Sequence, residues 1–459
     1  MFIPDGTQLT QAWSFAMGAS TVLALLCYTF LAWFRPVVAV GVTLALLPTY
    51  LLRFSVGGIP MTFLEAMLLM GSVIILLRWR LADAGTMHGS PFAEPLVPLA
   101  LAWVGIGVLA ALWSPAGASA WGMWKAYFLE PVLWWFALRA LRGRLDVVRH
   151  MIVPFAMGAM GVAAIAIVQQ YTGYGIPAPW ADAARRRVTS VFGYPNAVGL
   201  FLGPLVPLCV GAWSMHGGEH GSRGWALAWH MIAAMSITLS LVAIFFARST
   251  GAIVAVVVAL VSMPLIWWSM RTPARAGRRA MLLMGGVLLV NFFCTVWLPY
   301  QRNLERIAHP VVRKLAFGAW SGSVRLAQYR ETWELLREHP IRGAGLAGYP
   351  TAIIPHHRNT KVEIFQYPHN LLLTIWVEVG LIGLLIFLAM LLHALRLAWS
   401  TGPSVLAAGI ASAMVVVLVH GLVDVPYFKN DLSVLWWTIL ALVLLRAQRP
   451  VSETPERVD

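Results

Sequence analysis

Thirteen apolar runs, most of them near twenty residues long, follow one another along this 459-residue chain. They cover 13–34, 36–52, 62–77, 95–113, 120–141, 148–170, 196–213, 225–247, 251–270, 280–298, 370–397, 405–422 and 432–445. A helix needs about 20 mainly apolar residues to cross the hydrocarbon core of a bilayer. The pattern therefore predicts an all-α polytopic membrane protein with about twelve transmembrane helices, thirteen if the second run is counted. That run is short and stops before Arg53 and a Gly57-Gly58-Ile59-Pro60 break. Composition agrees, since 59% hydrophobic and 11% charged residues lie far from the roughly 25% charge of soluble domains. Residues 1–11 carry no Lys or Arg, so the positive start of a cleavable signal peptide is missing and the first run is expected to stay in the membrane. Cys27, Cys209 and Cys294 are far apart in apolar runs, which argues against a disulfide framework or a zinc site.

The formal net charge is +14. In a membrane chain much of this is topological rather than a nucleic-acid footprint, because cytoplasmic loops collect Lys and Arg. Arg78 and Arg80, then Arg142, Arg144 and Arg149, then Arg271, Arg275, Arg278 and Arg279 recur at every second loop. Assigning those loops to the cytoplasm puts 181–195, the turn at Arg248 and the largest polar segment on the other side. That segment divides the membrane domain into helices within 1–298, a large loop at 299–368 and further helices within 369–459. It carries Arg302, Arg306, Arg313, Lys314, Arg325, Arg330, Arg337, Arg342, Arg358 and Lys361. Positive charge on the side where it is normally scarce calls for another explanation, and binding of an anion is the simplest. Within the segment, Leu326, Tyr329, Trp333 and Leu336 recur at helical spacing. An amphipathic helix is predicted over 323–339, with Ser323 as N-cap, an end at Pro340 and a glycine turn at Gly343, Gly345 and Gly348.

Several residues have the chemistry for a site there. Arg186 and Arg187 precede a span entrance, where a guanidinium can hydrogen-bond two phosphate oxygens at once; lipid head groups or topology also account for them. Arg248 interrupts two spans joined by almost no loop, a costly position without a partner or a wet cavity, although it can also snorkel. Arg325 and Arg330 have Glu331 and Glu334 nearby, and an Arg330–Glu334 pair within the helix would explain them. His369 and Asn370 open a span after Tyr367. Histidine suits base work near neutral pH, but at a helix start it also serves as a cap. Glu378 lies within the following apolar run, where a carboxylate is a site candidate by default; pairing with an arginine or orienting a histidine are its two candidate roles. His420 and Asp424 are secondary candidates. No phosphate loop and no Asp-x-Asp pair occurs, so no nucleotide, metal or other cofactor is expected.

These residues also carry a resemblance. Arg187 to Asn196 (Arg-Val-Thr-Ser-Val-Phe-Gly-Tyr-Pro-Asn), Arg248-Ser249, the run Arg325…Trp333…Pro340-x-x-Gly343-x-Gly345 and His369-Asn370-x-x-Leu373…Glu378-x-Gly380-x-x-Gly383 resemble, in that order, the O-antigen ligase/O-antigen polymerase family of bacterial envelope enzymes. The resemblance implies about twelve spans and a transferase in the inner membrane with its active site facing the periplasm. In the ligase branch it implies a donor glycan on undecaprenyl diphosphate and lipid A–core oligosaccharide as acceptor, without metal or nucleotide. Carried onto this chain, it implies His369 as general base, with Arg187, Arg248 and Arg325 holding the diphosphate, and inversion at the anomeric carbon. A polymerase, a protein oligosaccharyltransferase and, from another class, a lipid-linked sugar flippase remain alternatives. No internal repeat of the transporter kind is evident in the sequence.

Overall fold

The computed structural model describes residues 6–81, 95–214, 223–301, 306, 309, 317, 320–358 and 362–447. Arg302, Arg313, Lys314 and Lys361 of the polar segment lie outside the described residues. Helices α1 (Gly6–Phe34) and α2 (Pro36–Ala45) lead to an antiparallel hairpin, β1 (Arg53–Val56) and β2 (Ile59–Thr62), with Arg53 opposite Thr62. This hairpin, turning on Gly57-Gly58, is what the break after the second apolar run builds, and it qualifies the all-α expectation. Next come α3 (Phe63–Leu81), α4 (Leu96–Leu112), α5 (118–140), α6 (Val147–Thr172), α7 (Pro195–Ala212) and α8 (Arg223–Phe246). Helices α9 (Thr250–Ser269), α10 (Pro273–Tyr300), α11 (Trp320–Glu338), α12 (Leu371–Ser400), α13 (Val405–His420) and α14 (Asn430–Ala447) complete the order.

Each of the thirteen apolar runs contains helix, the second only as far as Ala45 before a short 3-10 turn over Leu47–Leu51. Among the described residues six helices are long and apolar enough to cross a membrane: α6, α7, α8 from Gly224, α9, α10 and α12. Four apolar helices are shorter: Ala19–Phe34, α2, α4 and α13. The chain is a helical membrane protein. Lipid gives helices little hydrophobic reason to associate, so membrane interfaces favour small residues that let backbones approach. That rule is visible where α6 meets α8: Ala156, Ala159, Ala163 and Ala166 face Ala233, Ser236, Ser240 and Ala243, all buried. Gly211 on α7 and Gly409 on α13 touch so closely that a Cβ on either would come within 2.6 Å of the other's Cα. Large apolar side chains point outward instead, among them Leu227, Phe245, Val261, Leu265 and Leu289.

The polar segment folds back onto the bundle. Helix α11 begins at Trp320, three residues before the predicted start, so Ser323 lies inside the first turn and is not the N-cap. Of the predicted apolar face, Leu326, Tyr329 and Leu336 bury against Leu298, Ala344, Tyr349, Leu373 and Val377, Leu335 joins them, and Trp333 packs on the cluster half-buried. The pair expected within the helix does not form. Glu334 instead accepts from Arg358 at 2.8 Å, and Arg330 donates to the Pro299 carbonyl and lies over the Tyr300 ring.

Helix α12 is broken at Gly380, which has φ 73° and ψ −179°. The glycine turn after α11 fits against this break. Ala344 N–H donates to Val377 O at 2.7 Å, and Leu381 N–H donates to Ile341 O at 2.9 Å. Backbone groups released by the break thus find partners in the turn, as a membrane protein requires.

Candidate active site

Helix ends and short loops at one end of the bundle bring together residues far apart in the chain. Arg187, Arg248 and Arg325 line one cleft of about 360 Å³, with Asn196, Thr250, His420 and Leu422 among its other walls. None of the three arginines forms an ion pair with a described carboxylate. Each is placed by a different device. Arg187 stacks over Trp180 at 4.9 Å, and its Nε donates to Ala247 O at 3.0 Å and its Nη2 to Asn196 Oδ1 at 3.1 Å. Burial, followed by the charges of Arg325 and Arg248, pulls the Arg187 guanidinium down to about 10; it stays cationic at neutral pH. Arg248 sits in the three-residue reversal between α8 and α9 with φ 51°, a left-handed conformation that a non-glycine residue adopts only when its surroundings enforce it. Arg325 projects from α11, donating through Nε to Val423 O at 2.7 Å and through Nη1 to Ser321 O at 3.0 Å.

His369 stands beside this cleft, also in a left-handed conformation, φ 49°. Its carbonyl accepts from Tyr329 at 3.0 Å, and the same hydroxyl reaches Leu422 O at 2.9 Å. Its Nδ1 lies 3.2 Å from Gln328 Oε1, and Phe365 meets its ring edge-on at 4.9 Å. Burial lowers the His369 pKa and Arg325 adds to this, while Asp424 and a hydrogen bond to the Tyr367 backbone oppose it. Neutral imidazole is therefore the resting form. Asp424 is buried, with Oδ2 accepting from Asn196 Nδ2 at 2.9 Å and Oδ1 from Val425 N–H at 2.9 Å. Burial works against its ionisation, but His369, His420 and Arg325 outweigh it and hold the carboxyl below the ordinary range. Asn196 thus bridges Asp424 and Arg187. The sequence motif contained this asparagine but gave no sign of its role.

Other sequence candidates fall elsewhere. Arg186 donates to Gln170 O at 2.7 Å and packs against Gly173 at the end of α6, outside the cleft lining. Its neighbour Arg187 takes the place in the cleft. Asn370 is buried as the N-cap of α12, accepting from Leu373 N–H at 3.0 Å and donating to Asn291 Oδ1 at 2.7 Å and Leu422 O at 3.1 Å. It fixes the helix start immediately after His369. Tyr367 donates to Phe428 O at 3.1 Å and forms part of the support.

Glu378 contacts neither an arginine nor a histidine. Nine residues into a helix corresponds to about 13 Å of rise, which carries its carboxylate away from His369. Its Oε2 accepts from Ala347 N–H at 2.6 Å, and no arginine pairs with it. The buried carboxylate fastens the glycine turn into the break of α12.

Fold and site together define a helical membrane protein with an unpaired triple-arginine cleft beside a neutral histidine, an arrangement suited to an anionic leaving group and a proton acceptor. Residues 235–388, which hold Arg248, Arg325 and His369, match a family model described as O-antigen ligase. Over this segment the chain is similar to the O-antigen ligase family, a likeness that supports a ligase- or polymerase-type glycosyltransferase role. No curated protein matches the chain.

Proposed function

We propose that the protein is an O-antigen ligase, transferring a glycan from undecaprenyl diphosphate to a sugar hydroxyl of lipid A–core oligosaccharide. In this reading it crosses the bacterial inner membrane about twelve times, with segment 299–368 and the cleft on the periplasmic face. The observation that carries the reading is the convergence of Arg187, Arg248 and Arg325 on one cleft without carboxylate partners. A diphosphate has the charge and the acceptor oxygens such a cleft would satisfy. His369 then takes the proton of the acceptor hydroxyl. The acceptor oxygen bonds to the anomeric carbon as the bond from that carbon to the diphosphate oxygen breaks. The bonding pair leaves with the diphosphate, and the arginines stabilise that charge as it develops. One displacement inverts the anomeric centre.

The test mixes wild type and His369→Ala with undecaprenyl-diphosphate-linked glycan and lipid A–core, in EDTA and without nucleotide. Transfer to lipid A–core by the wild type alone, with donor binding intact in the variant, is the expected result. Lengthening of the glycan on its carrier would mean a polymerase. Donor binding with no transfer by either protein would mean a carrier protein.

A further inference from the structure

A buried base beside the Asp424 carboxylate and the Arg325 guanidinium needs its lone pair aimed without a further anion raising its proton affinity. The structure holds a device for both. Oε1 of Gln328 is an acceptor only, and it lies 3.2 Å from His369 Nδ1. A ring proton on Nδ1 satisfies that oxygen and leaves the lone pair on Nε2. Gln328 is itself buried, 6% exposed, so water competes poorly for either partner. It follows Arg325 by three residues on α11, and Tyr329, which holds the His369 and Leu422 carbonyls, comes next. Residues three and four apart lie on one helical face. One face of α11 thus places an arginine of the cleft, the ring of His369 and its backbone as a rigid unit.

We infer that Gln328 is a positioning residue that fixes the Nδ1–H tautomer of His369 and aims Nε2 at the acceptor hydroxyl. The inference rests on the reading of His369 as the base. The chemistry of the partner is informative. The charged groups facing His369 are Asp424 from the loop after α13 and Arg325 from α11. A carboxylate in place of Gln328 would add a second anion and favour imidazolium, which cannot accept a proton. A neutral amide orients the ring without that cost.

The experiment compares transfer rates and pH profiles of wild type, Gln328→Leu, Gln328→Glu and His369→Ala. Gln328→Leu removes the acceptor, and kcat should fall about 10- to 100-fold, the effect typical of groups that orient a functional histidine. The donor KM should stay unchanged. Gln328→Glu should move the acid limb of the kcat profile to higher pH by roughly one unit or more, as an added anion within a few ångströms does, with activity recovering above that limb. A role in packing alone would not move the limb. Wild-type kcat in Gln328→Leu, or an unmoved limb in Gln328→Glu while His369→Ala is inactive, overturns this inference and leaves the base reading standing. Full activity in His369→Ala overturns both.

Discussion

Replacing Gly380 with alanine should unlock the polar segment from the membrane bundle. At φ 73° and ψ −179° this residue occupies a region open essentially to glycine alone, and forcing another residue there costs about 1–3 kcal/mol. A Cβ would also stand 2.0 Å from Ile341 O, so the turn itself must retreat. That retreat breaks the Leu381 to Ile341 and Ala344 to Val377 hydrogen bonds, each contributing roughly 0.5–1.5 kcal/mol. The sum is about 2–6 kcal/mol. At roughly 2 °C per kcal/mol for a large domain, the thermal midpoint of the purified protein in detergent should drop by about 4–12 °C. Gly285→Ala is the matched control, because a Cβ there meets nothing within 4 Å, and alanine favours helix over glycine by about 1 kcal/mol. Melting curves for both variants would be read beside the wild type. A midpoint for Gly380→Ala equal to that of the wild type would refute the account of the break as a lock.

Other outcomes are expected at the site. Arg187→Lys keeps the charge but cannot donate to both Ala247 O and Asn196 Oδ1 from one planar group, so kcat/KM for the diphosphate-linked donor should fall about 100-fold; the measurement is initial rates against donor concentration. Asn196→Ala cuts the bridge from Asp424 to Arg187 and should weaken donor binding about tenfold, by the worth of a hydrogen bond to a charged group. Glu378→Gln retains an oxygen for Ala347 N–H, so transfer activity should survive; inactivity in a folded Gln variant would return Glu378 to the chemistry. Because only neutral His369 accepts a proton and its pKa is lowered by burial, transfer should rise with pH along a limb lying below the ordinary histidine value of 6.5. A limb above that value in the kcat profile would count against His369.

How much of this was legible depended on which interactions residue type alone encodes. Helix positions followed from the length of the apolar runs, because lipid leaves the backbone no alternative to internal hydrogen bonding. The clustered arginines stood out through the expected topology: assigning the basic loops to the cytoplasm leaves Arg187, Arg248 and Arg325 on the other side. Which arginine of a pair faces the cleft was not legible, since Arg186 and Arg187 differ only in the direction the loop gives them. Glu378 was marked as a buried carboxylate with an arginine or a histidine as open candidates for its partner, and the structure pairs it with neither. Its partner is a backbone N–H supplied by the turn at Ala347, and any residue but proline carries one. Asn196 and Gln328 left no trace because amides are common, and their value here lies wholly in geometry. The start of α11 was misplaced because Ser323 looks like a cap in sequence, although the helix had already begun at Trp320.

The break in α12 has a consequence for engineering. A loop between two membrane helices is usually an exchangeable part, and grafting a relative's loop is the obvious route to a different sugar preference. Here the turn at 341–348 and the helix at 377–381 complete each other's hydrogen bonding, so neither is whole alone. A chimera cut at the helix start after His369 would join a foreign turn to a native break and leave backbone groups unpaired inside the protein. The transplantable unit therefore runs from α11 through Leu381, taking the first half of α12 with the loop, and chimeras divided there should retain their fold where those divided at residue 370 do not.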